Sequence, residues 1–211
     1  MSDPFATRWS GIGVGGSLAV DFVNTLDWRL RKVPSEGLRT YADLVRWTWS
    51  AGLVTGSEAR SLLEWADLHP RAATRELARA VELRESIALV FAALRDETRL
   101  PSDALATLDA ACRAGALDRS LRPLGRFAEW SRTPGAPPPQ RPAWTVADDA
   151  ARLLTSPDRE RLSQCRDEDC GWFFLDTSRN RSRRWCTMKG CGNRNKARSF
   201  YRRAHRPAKG S

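Results

Sequence analysis

The chain has 211 residues, with 35 Lys/Arg against 25 Asp/Glu and a net charge of +10 at neutral pH. That length suits one ordinary domain plus a small module, and no apolar run approaches the roughly 18–20 residues that a membrane-spanning helix needs. Met1 to Gly16 lacks the basic start and apolar run of a signal peptide. The expectation is therefore a cytoplasmic protein in a reducing compartment.

The charge is unevenly spread. From Cys165 to Ser211 there are 13 Lys/Arg against 4 Asp/Glu, a net of +9, whereas the first 164 residues are close to neutral. A neutral body carrying a basic tail points to a polyanion, nucleic acid before membrane. Most of the tail charge has no accompanying apolar face, which makes surface membrane binding the weaker option.

In chain order, the glycine run Gly11, Gly13, Gly15 and Gly16 follows no strand pattern, so it reads as turn glycines rather than a dinucleotide loop. Ser17 can cap a helix carrying Leu18, Phe22 and Leu26, although Leu18–Val23 also suits a short strand. Asp21 and Asn24 form a polar pair inside this apolar segment. They are read as fixing the N-terminal domain internally, with a ligand-sensing pocket as the alternative. Thr40 precedes a second helix with Leu44, Val45 and Trp47. Ser57 opens a third, ending near His69-Pro70.

The longest periodic stretch runs from about Arg71 to Thr98, with Ala80, Leu83, Ile87, Val90 and Leu94 at alternating three- and four-residue steps. It reads as the central helix of one bundle rather than a coiled-coil seam. If the chain dimerises, this helix is the candidate contact. Pro101-Ser102 begin another helix with Leu105, Leu108 and Cys112 on one face, and Cys112 reads as a buried core thiol. Leu121–Trp130 supplies one or two strands. Thr133–Pro142 reads as an exposed polyproline-like loop, a short helix spans about Ala147–Leu154, and Ser156-Pro157 marks a join.

Cys165, Cys170, Cys186 and Cys191 make two C-x4-C pairs separated by fifteen residues. Four soft thiolates suit a closed tetrahedral zinc site with no open position for substrate. An iron–sulfur cluster and coincidental spacing are the alternatives. Arg161–Cys165 and Trp172–Asp176 are short strand candidates, and Arg166–Asp169 is a charged, exposed knuckle. From Asn193 a helix places Ala197, Phe200, Tyr201 and Ala204 on a stripe expected to face the zinc core. Together these suggest a treble-clef-like arrangement, a short β-hairpin plus helix. So small a unit rarely folds on apolar burial alone, and zinc binding, about 10–16 kcal/mol apparent, would be folding energy.

The segment C-GWFFLDTSRNRSRRWC-TMKG-CGNRNKARSFYRR, about Leu162–Arg203, resembles the CGNR-type zinc-finger family of bacteria, named for Cys191-Gly192-Asn193-Arg194. Leu18-Ala19-Val20-Asp21-Phe22-Val23-Asn24-Thr25 is similar to the start of the ABATE-type domain that accompanies that finger. The resemblance implies a mainly α ABATE-type domain with a few short strands over 1–158 and a basic finger over 159–211. It also implies one structural zinc ion per chain and a role in bacterial transcription, at the nucleoid.

The expected duplex-DNA contacts are Arg194, Arg198 and Arg202 on the last helix, with Lys196 and Arg203 beside them. Arg179, Arg181, Arg183 and Arg184 would clamp the backbone from the loop. Asn193 or Asn195 could read adenine, and Asp176 is read as structural. A blander reading leaves the charge run as a solvated face. RNA is the alternative partner, with Trp172, Trp185 and Tyr201 as stacking residues if they are exposed. A protein-interaction adaptor with a purely structural finger is the third reading. A homodimer through the N-terminal domain would supply two half-site contacts. His69 and His205 sit in no zincin or triad context, so the chain reads as a non-enzyme.

Overall fold

The computed structural model describes residues 9–133 and 135–204. His205 and the side chain of Ala204, both considered above, lie outside the described set. The architecture is mainly α with short two-stranded ladders, as expected. Helix α1 (Leu18–Val23) is the helix and not the strand of the two readings of that segment, with the Ser17 hydroxyl accepting from the Val20 amide at 3.3 Å. Leu26 leaves that helix and joins strand β1 (Leu26–Asp27), antiparallel to β2 (Ser35–Glu36).

Helix α2 (Tyr41–Ser50) begins with a reciprocal cap between Thr40 and Asp43. Helix α3 (Gly56–Leu68) starts at Thr55 rather than Ser57. The Glu58 carboxylate can reach back only to the residue three before it, and it takes the Thr55 amide at 2.8 Å. Helix α4 (Pro70–Arg95) buries Ala80, Leu83, Ile87 and Val90, so the alternating seam is used inside one chain. Helix α5 (Ser102–Ala116) buries Leu108 and leaves Cys112 only half covered. Burial and the nearby Asp148 carboxylate push the Cys112 thiol above its ordinary range, which leaves it neutral and unreactive.

Strands β3 (Arg119–Leu124) and β4 (Phe127–Arg132) form a hairpin on the surface. The proline-rich segment ends sooner than the sequence suggests, because Arg141 and Pro142 open helix α6 (Arg141–Thr155). Proline is tolerated in a first helical turn, where its missing N–H has no intrahelical partner. The Arg141 guanidinium is buried and grips Asp118 through two bonds of 2.6 and 2.9 Å, with Glu58 at 3.1 Å. A single arginine thus ties α6, the foot of the hairpin and α3 together. Arg84 does the same elsewhere. Its guanidinium bonds both Glu36 carboxylate oxygens at 2.7 Å, fastening β2 to α4. Each replaces an otherwise costly buried charge with a satisfied bidentate pair.

A 3₁₀ turn (Pro157–Arg161) leads into β5 (Leu162–Gln164), which pairs antiparallel with β6 (Phe173–Leu175), and helix α7 (Asn193–Ala204) ends the described chain. Strand β6 has two buried faces. Phe173 and Leu175 enter the helical core, the Phe173 ring lying edge-on to Phe91 at 5.8 Å, while Phe174 faces the cysteines. Alternation of side chains along a strand makes that division.

Two polar residues of α1 and the loop before it complete the dock. Asn24 donates to the Phe173 carbonyl and accepts from the Phe173 amide, both at 2.9 Å. Asp21 accepts the Gly13 and Gly15 amides at 2.6 and 2.7 Å, and the Leu175 amide then reaches the Gly15 carbonyl at 2.7 Å. The glycine run is a seam laid along β6. A side chain at Gly15 would come within 2.5 Å of Val20, and Gly16 has φ +89 against Leu175. Burial, helped by Asp149, pushes the Asp21 carboxyl above its usual range despite the two amides that favour its charged form.

Asn24→Asp keeps the acceptor and loses the donor, setting a carboxylate against the Phe173 carbonyl. It should destabilise the full chain by about 2–3 kcal/mol in urea unfolding, and a loss below about 0.5 kcal/mol would show that the dock contributes little.

Candidate metal centre and its basic surround

The two C-x4-C pairs converge as spacing alone suggests. Cys165 follows β5, Cys170 closes the knuckle before β6, Cys186 follows the long loop, and Cys191 lies in a single π-turn over Met188–Gly192. All four are buried, and their sulfurs lie within 4.8 Å of one another. Sγ of Cys186 stands 3.7 Å from that of Cys170 and 3.4 Å from that of Cys191. These separations far exceed a disulfide bond of about 2.05 Å and approach the edge of a tetrahedron with metal–sulfur bonds of about 2.3 Å. The donor set therefore fits one zinc ion. When bound, zinc supplies a structural crosslink, and with four ligands already in place it has no open position.

The surrounding chain holds the sulfurs in position. The Cys165 amide donates to the Trp172 carbonyl at 2.8 Å, the Arg166 amide to the Arg184 carbonyl at 3.0 Å, and the Cys170 amide to the Asp167 carbonyl at 3.1 Å. The Thr187 hydroxyl accepts from the Gly190 amide at 3.0 Å and sets the turn that carries Cys191. Burial, then the neighbouring Cys186, pushes the Cys191 thiol well up, so the cluster needs a cation to ionise fully.

The knuckle differs from the exposed turn that its composition suggests. Asp167 is buried and draws α7 inward: it accepts from Asn195 Nδ2 at 2.8 Å and faces Arg194 Nε and Arg198 Nη1, each at 3.5 Å. Arg198 also reaches Glu168 at 3.0 Å and Asp169 at 3.2 Å. Arg194 donates to the Cys191 sulfur at 2.9 Å and its guanidinium lies 4.4 Å from the Trp28 ring. Arg31 covers the same indole at 3.6 Å, and Trp28 takes the left-handed region at φ +53. An indole enclosed by two cations joins the body to the finger, reinforced by the Arg29 amide on the Cys170 carbonyl at 3.0 Å.

The stripe on α7 is correspondingly reversed. Its Arg194–Asn195–Arg198 side packs on the knuckle, while Ala197, Phe200 and Tyr201 face solvent, the last two 63% and 64% exposed. Three acids on the knuckle outcompete Ala197, Phe200 and Tyr201 for the inward position, a consequence of pairing that a hydrophobic period does not reveal. Trp172 and Trp185 are partly buried against the cysteine cluster. Asn193 donates weakly to the Lys189 carbonyl at 3.4 Å.

The remaining basic residues divide into two groups. Arg183 turns inward, donating to the carbonyls of Trp185 (3.0 Å) and Cys186, while its backbone amide gives Asp176 a bond of 2.8 Å. Despite burial, which raises it, hydrogen bonds from Ser178 and the Arg183 amide hold the Asp176 carboxyl below its ordinary range. Arg179, Arg181, Arg184, Lys196, Arg202 and Arg203 are exposed, with Arg181 and Arg202 only loosely opposite carboxylates at 3.7 Å. Arg184, Trp185, Lys196, Ser199 and Arg203 line one groove of about 290 Å³. Arg184 and Trp185 also border a second, of about 580 Å³, reaching Ser178 and Met188.

Fold and site define the chain as a helical domain fused to a four-cysteine zinc finger. Residues 161–204 match the CGNR zinc finger model. Residues 16–157 match the ABATE model, described as "Putative stress-induced transcription regulator", and the chain belongs to that family. No curated protein matches it. Among the described residues no helix is long and apolar enough to cross a membrane.

Stripping zinc with a chelator should open more than the finger, because Phe173 and Leu175 belong to the helical core. Hydrogen exchange is expected to accelerate in residues 18–24 and 87–91 together with 162–192. Unchanged protection in the two helical segments would show that the finger melts alone.

Proposed function

We propose that the chain is a zinc-dependent duplex-DNA-binding regulator of transcription whose finger contacts DNA through the groove formed by the basic loop and α7. The observation that carries this reading is the set of exposed cations around Arg184 and Trp185, on the module that also holds nearly all of the net charge. The contact set is Arg179, Arg181, Arg184, Lys196, Arg202 and Arg203. Arg194, Arg198 and Arg183 are internal struts in this reading, since their guanidiniums are engaged by Asp167, Cys191 and backbone carbonyls. The N-terminal domain, 1–158, is the regulatory and dimerising part, and the finger, 159–211, is the reader. The setting is the bacterial cytoplasm, at the nucleoid, and the role is binding rather than catalysis.

A second reading has one observation in its favour. Phe200 and Tyr201, ring centroids 6.1 Å apart, stand exposed beside the cations of α7, where unpaired bases could stack. Single-stranded nucleic acid, including RNA, would use that surface more fully than a duplex.

Selection of zinc-loaded full-length protein on random duplexes, repeated against RNA and across salt, tests both readings. Six phosphate contacts predict a slope of log K against log salt of about −5 on B-DNA. The triple variant Arg184→Ala/Lys196→Ala/Arg203→Ala should flatten that slope by about 2–3 units without loss of zinc. Arg198→Ala should instead lower thermal stability. Preference for RNA or single strands, with affinity lost in Phe200→Ala/Tyr201→Ala, would replace the duplex reading; no salt-dependent binding at all would sink both.

A further inference from the structure

The β3–β4 hairpin is the most exposed ordered element of the body. Ten of its twelve strand residues face solvent, among them Leu121 (60%), Phe127 (65%) and Trp130 (63%). A two-stranded ribbon is marginal in water and needs further strands or a covering element. Among the described residues nothing is paired to either edge.

We infer that the outer edge of β4 pairs with the same edge of a second copy of the chain, making a four-stranded sheet in the order β3-β4-β4-β3. The two-residue turn Gly125-Arg126 makes Leu124 and Phe127 a hydrogen-bonded pair, and pairs alternate from there. The Thr133 amide on the Asp118 carbonyl at 3.1 Å continues that alternation. Ala128, Trp130 and Arg132 therefore point their N–H and C=O groups outward from β4. On the other edge the corresponding residues are Arg119, Leu121 and Pro123, and Pro123 has no N–H to offer. The β3 edge is interrupted; the β4 edge is intact.

Self-pairing of one strand about a two-fold axis allows few registers. Centring on Glu129 sets two like charges opposite each other. Centring on Trp130 sets indole against indole and Ala128 against Arg132, and aligns Leu121, Trp130 and their two counterparts in one row across four strands. Charge permits the same register. Arg119 lies 3.2 Å from Asp148 and Arg132 3.5 Å from Asp118, while Arg122 and Arg126 sit on the outer strand and the turn, away from the axis. α4 is not needed for this contact, since its seam is buried. The inference deepens the dimer in the reading above by naming its surface, and it stands or falls independently of DNA binding.

Sedimentation equilibrium of the zinc-loaded full chain, without nucleic acid, tests it. Wild type should be a dimer at micromolar concentrations. Trp130→Lys and Ala128→Pro should each raise the dimer dissociation constant at least about 30-fold, with zinc content unchanged and the thermal midpoint unchanged when measured at concentrations where wild type is also monomeric. Leu89→Lys, on the exposed side of α4, should leave the dimer intact. A monomeric wild type, a dimer that survives Trp130→Lys, or one broken by Leu89→Lys instead would overturn the assignment. So would Trp130→Lys weakening only nucleic-acid binding, which would assign the ribbon to that ligand.

Discussion

The structure depends on strand β6 being shared between two interiors. Its three residues alternate between a helical core and a metal cluster, so neither interior is complete without the other. Phe173 packs beside Phe91 in the helical core, and Phe174 closes the cysteine cluster from the opposite face. Asn24 matches both backbone groups of Phe173 as a neighbouring strand would, with a side chain in place of a ladder. The family boundary near residue 160 is thus crossed by a shared core, since Phe173 and Leu175 pack with the helices.

Charge is arranged around that body in two ways. Inside, arginines act as bolts: Arg84 to Glu36, Arg141 to Asp118, Arg194 and Arg198 to the knuckle. Each bolt joins segments distant in sequence, and each leaves its carboxylate compensated. Outside, Arg184, Lys196 and Arg203 line one groove of the finger, with no acidic partner close by among the described residues. The high positive charge therefore overstates the number of groups available to a polyanion, because the finger's own knuckle already occupies several.

Much of this was legible in the sequence. Helix starts at Ser17 and Thr40, the central helix, the two strands flanking the knuckle and the four sulfur ligands all follow from local chemistry that operates within a few residues. The parts that sequence reading missed involve long-range partners. Arg141-Pro142 reads as loop until Asp118 and Glu58 are placed around the guanidinium. The last helix reads as apolar-side-in until Asp167 proves to be buried and to claim its arginines. Asp21 and Asn24 read as polar residues in need of partners; Asp21 finds them in the turn just before its helix, at Gly13 and Gly15, whereas Asn24 finds its partner across the finger boundary, at Phe173, which no periodicity encodes.

Sharing β6 also sets an order of events during synthesis. The ribosome makes the helices first, at about 5–20 residues per second, and the chain must extend past Phe173 before the space beside Phe91 can be filled. It must reach Cys191 before the metal cluster can close. Until then the nascent helical domain carries an open apolar socket, the kind of surface that chaperones engage. A ribosome that stalls or terminates early would release a body lacking its keystone. Metal capture and closure of the helical core thus wait on the same stretch of chain, Phe173 to Cys191.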